Sequence, residues 1–402
     1  MESDILDRVI SLGEGLASIP ERLLLAHARG EVLFICGAGV SKPMPADLPD
    51  FRELVLDVYA KLDAGVRAVL SKSSAVLNSD FETHTATLTH IQKAEIKRFM
   101  DRDYDVVLGM LERRLDGKTQ GDSSVRREVS NRLRAGHSRP AALHKALMRL
   151  ADRGGASTIV TTNFDLLLES AGKRLKQSIQ TYALGSIPRP TRHIEFSGVM
   201  HIHGALDPNP ERNSELVLSD QDFGEFYLRR RVVPDFIYDA ARLFHLVLVG
   251  YSANDPPMRY LLNAVAADGT RFDDLKERFT FFGTEGADPV ALEDWKARGI
   301  TPISYNSQNN HNVLRMSLER WAKFSAVNGK QDAVDSEIGR IVKRGRATAE
   351  ESDRDLFDHF IRRGNASERV RLAALASDAG AETGWLNAIV NIGSEKIRAH
   401  RS

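Results

Sequence analysis

The sequence predicts an α/β fold: a parallel sheet covered by helices on both sides, with an inserted helical subdomain and a C-terminal helical appendage. Three observations predict it. Short apolar runs without polar alternation recur along the chain, as strands buried on both faces do; Val32-Leu-Phe-Ile-Cys36 and Phe244-His-Leu-Val-Leu-Val249 are examples. These runs alternate with helical stretches, the pattern of a parallel sheet. Most of 51–153, and all of 331–402, reads as helix without strands.

The elements follow in order. Ser18-Ile-Pro-Glu21 has the form of a capping box with Pro at the first helical position, and Gly30 is a stop, so a helix is expected over about 20–29. The first strand, Val32–Cys36, runs into Gly37-Ala38-Gly39. Helices are expected at 51–62, 91–115, 125–133 and 141–151, with Ser/Thr-rich loop within 66–90. This is more than one crossover requires, hence an inserted subdomain. Further strands are expected at 158–162, 199–203, 244–249, 279–282 and 300–305, with helices starting near Leu166 and Pro256. After Trp321 charges rise and strands stop, so 1–330 and 331–402 are expected to form a core domain and a helical tail.

Composition narrows the function. At 402 residues the chain is long enough for two or three domains. Lys plus Arg and Asp plus Glu both number 55, so there is no net field to draw in nucleic acid, and direct nucleic-acid binding is not indicated. The apolar fraction of 42% suffices for a core. A single cysteine, Cys36, makes neither an intrachain disulfide nor a thiolate zinc site, and it fits a reducing compartment. MESDILDRVI carries acids where a signal peptide carries bases, and no window approaches the roughly 20 apolar residues of a membrane span. A soluble cytoplasmic protein with no membrane contact is expected.

Four polar motifs fall at the carboxyl ends of strands, where ligands sit in such sheets. Gly37-Ala38-Gly39-Val-Ser41 permits a tight turn and close approach to a phosphate. Lys42 stands where the dehydrogenase fingerprint has its last Gly, and Pro43 and Pro45 interrupt an immediate helix, so the turn is a phosphate loop of another type or purely structural. Asn163 and Asp165 suit helix capping as well as ligand contact. His201 and His203 share one strand face, but no third ligand has metal-site spacing, so no metal is expected. His201 reads as a packed histidine, His144 as a core or interface residue, Arg229-Arg-Arg231 as a solvated face, Asp255 as an N-cap and Cys36 as inert.

Together these motifs resemble the sirtuin family. Gly37-Ala-Gly39-Val-Ser41 followed by Leu48-Pro-Asp-Phe-Arg52 resembles the sirtuin nucleotide loop, with Asp47 in place of a Gly. Thr161-Thr-Asn163-Phe-Asp165 resembles the Q-N-x-D motif, with Thr162 in place of Gln. His203-Gly204 resembles the catalytic His-Gly pair, and Gly250-Tyr-Ser252 resembles the later G-x-S. The motifs keep their order over about 31–320. The resemblance implies a Rossmann-like NAD-binding core. It assigns phosphate contact to Ser41 and the 37–39 backbone, the nicotinamide wall to Phe51, the diphosphate to Arg52, and the adenosine end to Gly250 and Ser252. Breaking the nicotinamide–ribose bond needs positioning and a proton acceptor more than a strong acid. His203 is the expected base, Asn163 the holder of a ribose hydroxyl or water, and Asp165, beside Thr162, an acceptor of ribose hydroxyls.

Three functions compete: NAD hydrolysis, NAD-dependent protein deacylation, and NAD or ADP-ribose sensing without turnover. Many deacylase sirtuins carry a four-cysteine zinc module, absent here. The chain is more similar to the sirtuin-like NADases of bacterial antiphage (abortive infection) defence, particularly the component that assembles with a HerA-family ring ATPase. NAD is then the substrate, no zinc is expected, and a homo-oligomer is expected. The apolar residues of the tail, among them Ile338, Phe357, Phe360, Trp385 and Val390, must pack on the core, another copy or a partner.

Overall fold

The computed structural model describes residues 8–117, 123–134, 138–175, 179–206, 216–251 and 275–399. Among these residues the strands are β1 Val9–Ser11, β2 Ser18–Pro20, β3 Val32–Cys36, β4 Thr158–Thr161, β5 Thr181–Ala183, β6 Gly198–His201, β7 His245–Val249, β8 Arg278–Thr284 and β9 Thr301–Asn306. β1 and β2 form a small antiparallel pair; the others form one sheet in the order β5-β6-β4-β3-β7-β8-β9. Every ladder of that sheet is parallel. The sheet starts in its middle at β3, grows outward through β4 and β6, then resumes on the other side of β3 with β7. This is the Rossmann-like order, and its switch point lies between β3 and β7.

Side chains alternate faces along β3. Val32, Phe34 and Cys36 join a core with the helices Glu21–Ala28, Ala142–Leu150 and Gln308–Phe324. Leu33 and Ile35 join a second core with Val232–Leu243 on the opposite face. Both faces are dry, which is why the strands lack polar alternation.

The helical part has its own core, built on Leu54, Val58, Ile96, Leu108 and Leu111. Phe51–Leu62 and Ser124–Arg134 lie where expected; so does Ala142–Leu150, but it packs in the first core against the sheet rather than in the helical part. The run expected over 91–115 is two helices, His90–Met100 and Tyr104–Asp116, parted where Arg102 takes a left-handed φ of 66°. The segment read as loop holds three short helices, Ala64–Leu70, Ser74–Ser79 and Phe81–His84. Its polar residues are caps: Asp63, Ser73 and Asp80 accept N–H bonds from Val66, Val76 and Thr83, and Thr89 caps the helix that follows.

Two further expectations are corrected. Ser18 does not cap a helix; it lies in β2, paired with Ser11, and Pro20 flanks the helix without a side-chain cap. Glu21 turns inward, fully buried, to His359 Nδ1 at 3.0 Å and Arg362 Nε at 2.7 Å. β5 was not anticipated, since Thr181-Tyr-Ala183 is a short, half-exposed edge strand.

The tail folds back as the helices Gln331–Ile341, Glu351–Arg363, Ala366–Asp378 and Thr383–Ala399. Ile338, Phe357, Phe360 and Trp385 are buried in the same cluster as Phe34 and Trp321. Its apolar surface thus finds cover on the chain itself; Val370 and Val390 remain exposed. No helix among the described residues is long and apolar enough to cross a membrane.

Candidate active site

A cleft of about 1140 Å³ opens at the carboxyl ends of the strands, between the sheet and the helical part. Its walls include Ala38, Gly39, Ser41, Phe51, Arg52, Thr162, Asn163, Asp165, His203 and Gly250. Ser252, Asp255 and the helix expected near Pro256 lie outside the described residues.

The β3–β7 register sets Gly37 beside Gly250. Gly37 N–H donates to Val249 O at 2.9 Å and Gly39 N–H to Gly250 O at 3.0 Å. A Cβ on Gly39 would sit 2.9 Å from Gly250 Cα, and one on Gly250 would sit 2.7 Å from Val40 N. The glycines therefore join two loops at the switch point, and two of their N–H groups are committed to that joint. Tyr251 stacks over this joint, donating its hydroxyl to Cys36 O at 3.0 Å and meeting Thr162 Oγ1 at 3.0 Å.

Asn163 leads a tight polar network. Its Nδ2 donates to Gly37 O and to Ser41 Oγ, each at 3.1 Å. Because Gly37 O is an acceptor only, the amide orientation is fixed, and Oδ1 is left without a hydrogen-bond partner among the described residues. Ser41 Oγ donates to Asp165 Oδ2 at 2.9 Å and meets His144 Nε2 at 3.1 Å. Ala141 N–H donates to His144 Nδ1, so the proton of a neutral His144 sits on Nε2 and points to Ser41. Burial lowers His144 to a pKa of about 4, so the ring is neutral. Ser41 is thereby a buried hub with three side-chain partners. Asp165 also accepts Leu167 N–H at 3.0 Å, which ties the network to the start of the helix Leu167–Arg174, whose N-cap position is Leu166. Burial raises its pKa, against the hydrogen bonds of Leu167 and Ser41.

His201 is more than packing. Nδ1 donates to Asn163 O and Nε2 meets Glu169 Oε1, each at 2.8 Å. Burial lowers its pKa, but the Glu169 carboxylate outweighs burial and the net shift is upward. With acceptors at both nitrogens, a charged imidazolium satisfies the site, and it braces the backbone of Asn163 from below.

His203 sits in a different setting. It is buried, with its ring edge-on to Phe223 at 5.5 Å and to Tyr227 at 5.8 Å. Its Nε2 lies 2.6 Å from Tyr227 Oη. Burial lowers its pKa to about 3. Phe51 and Arg52 open the helix capped by Asp50; Phe51 meets Tyr104 edge-on, and Arg52 lies over Phe99. Burial holds the Cys36 thiol far above its ordinary pKa. Arg229 and Arg230 are exposed and pair with Glu225.

The sequence does not point directly to Tyr227, Tyr251 or the hydrogen bonds by which His144 and His201 hold Ser41 and Asn163. The i, i+4 spacing of Phe223 and Tyr227 on one helical face was a usable signal. Among the described residues there is no group of three or more His, Cys, Asp or Glu suited to a metal ion.

Residues 157–303 match the family model of the SIR2-like domain. The "Uncharacterized protein y4cA" of Sinorhizobium fredii (strain NBRC 101917 / NGR234) is 33% identical over 367 residues. That alignment covers 86% of this chain and 28% of that protein, so the chain spans just over a quarter of the curated relative's length. The domain match supports a sirtuin-like family, whose domains use NAD as substrate, and fits an NAD-related activity.

Proposed function

We propose that this chain is an NAD glycohydrolase that converts NAD and water to nicotinamide, ADP-ribose and a proton. The observation that carries the reading is Asn163: its amide nitrogen is spent on Gly37 and Ser41, and its carbonyl oxygen remains as an acceptor in the cleft that His203 also lines. Nicotinamide leaves as the bond from its ring nitrogen to ribose C1 breaks. Asn163 Oδ1 holds the attacking water or a ribose hydroxyl, and the water oxygen bonds to C1. Neutral His203 takes the proton and passes it to solvent. Asp165 sits one hydrogen bond from Ser41 and is placed to meet ribose hydroxyls through its carboxylate. The transition state is cation-like, so the carboxylate and the amide oxygen act by electrostatics and position.

We further propose that the reaction depletes NAD in the cytoplasm during antiphage defence, within a homo-oligomer that assembles with a HerA-family ring ATPase. An enzyme that kills its host needs an off state, and subunit contacts that shift helices near the pocket supply one. Light scattering on the full chain tests assembly; a monomer at micromolar concentration contradicts it.

Chromatography of products from NAD, with and without acyl-lysine peptide, tests the activity. Nicotinamide and ADP-ribose in the absence of peptide support hydrolysis. Nicotinamide only with peptide supports a deacylase, and tight NAD binding without any product supports a sensor.

A further inference from the structure

His203 has two ring nitrogens, and the chain commits one of them. Nε2 is 2.6 Å from Tyr227 Oη, while Nδ1 has no hydrogen-bond partner among the described residues. Tyr227 is itself held in place. It lies on a single π-helical turn, Gly224–Arg229, a rare geometry that often marks functional sites. Just before that turn, Asp222 Oδ2 accepts from Leu218 N, Ser219 N and Ser219 Oγ, and from Arg126 Nη2 at 2.6 Å. Arg126 is buried and also bonds Glu112, so the helical part anchors the turn. Phe223 completes the box, with its ring 5.3 Å from that of Tyr227.

A neutral imidazole carries one proton, and its location decides which nitrogen is a base. If Tyr227 donates to Nε2, the proton sits on Nδ1 and the only lone pair is capped. If Nε2–H donates to Tyr227 Oη, the Nδ1 lone pair is free.

We propose that Tyr227 is the positioning residue of His203, accepting Nε2–H so that Nδ1 serves as the base. This rests on the hydrolase reading above. Tyr227 touches no reacting atom; it selects the tautomer and aims the ring, as a buried acceptor does for the histidine of a hydrolase triad.

Two measurements on the full chain test the proposal separately from the activity. Long-range ¹H–¹⁵N NMR of histidine-labelled protein at neutral pH, assigned with His203→Gln, reads the tautomer directly. A proton on Nε2 of His203 is expected, with a larger share of the Nδ1–H form in Tyr227→Phe; a proton on Nδ1 in the native protein overturns the proposal whether or not NAD is cleaved. In kinetics, Tyr227→Phe, which keeps the ring, is expected to lower kcat about tenfold or more with KM little changed. Unchanged or raised kcat in Tyr227→Phe overturns it, because that is the behaviour of a cap. Phe223→Leu controls for packing: it is expected to leave the tautomer unaltered, and an equal tautomer shift there overturns the specific role of the hydroxyl.

Discussion

Asn163 and His203 line one cleft but are held by opposite means. Asn163 is fixed by hydrogen bonds everywhere but at its side-chain oxygen: Gly37 and Ser41 at its amide nitrogen, Thr161 at its backbone N–H and His201 at its backbone carbonyl. His203 is fixed by ring packing and one polar contact. The polar half sits over the core shared with the tail, and the aromatic half over the core of the opposite face. A hydrogen-bonded network fails when one partner goes, because the others are left buried and unmatched. A packed ring tolerates small changes of shape and depends on its one polar tie for chemistry.

The largest effects break the pair itself. Asn163→Ala and His203→Ala are each expected to lower nicotinamide release by about 10²–10⁴-fold, the usual worth of a positioned proton transfer. Melting temperatures separate the two halves: His203→Gln, which nearly keeps the side chain's volume, is expected to melt near the native value, and Asn163→Ala well below it, since it removes the buried hydrogen bonds to Gly37 O and Ser41 Oγ. Equal melting of both variants would erase the contrast.

Removing the brace comes next. Glu169→Ala leaves a buried imidazolium without its counter-ion and is expected to cost about 3–5 kcal/mol in denaturant unfolding. A smaller contact is the loop joint. Gly39→Ala pushes a methyl group against the Gly250 backbone, which cannot rotate away, at an expected cost of about 1–3 kcal/mol.

Acid tests the buried histidines on both halves. Burial holds His203 near a pKa of about 3 and His27 and His144 near about 4, against an ordinary value of 6.5. The unfolded chain therefore binds more protons than the folded one below pH 6.5, and stability falls from there toward pH 4. His201 acts in the opposite sense, because its raised pKa adds stability that is lost as pH rises through the folded value. Melting temperature against pH, with and without His144→Gln, measures the first effect; a steeper acid loss in the variant would contradict the assignment to His144.

Legibility followed the same divide. The buried strands were readable because Val32–Cys36 and His245–Val249 have both faces covered and so no polar alternation. Asn163, Asp165 and His203 were readable because each follows a strand end. β5 was not, because an edge strand of three residues carries little pattern. The helices at 64–84 were hidden because Ser, Thr and Asp signal caps and loops alike. His201 reads as packing because its partner, Glu169, lies 32 residues earlier on the helix Leu167–Arg174, and the tie of Tyr227 to His203 carries no sequence signal because the two are 24 residues apart. Long-range pairs of this kind leave no local signature.

The most direct assay measures nicotinamide released from NAD by the native protein, by Asn163→Ala and by His203→Ala, each alone and with a HerA-family ATPase. Nicotinamide and ADP-ribose are expected in equal amounts from the native protein in at least one of these conditions, with release lower by about two orders of magnitude or more from both variants. Full turnover in His203→Ala, or no nicotinamide from the native protein under either condition, would contradict NAD hydrolysis by this pair.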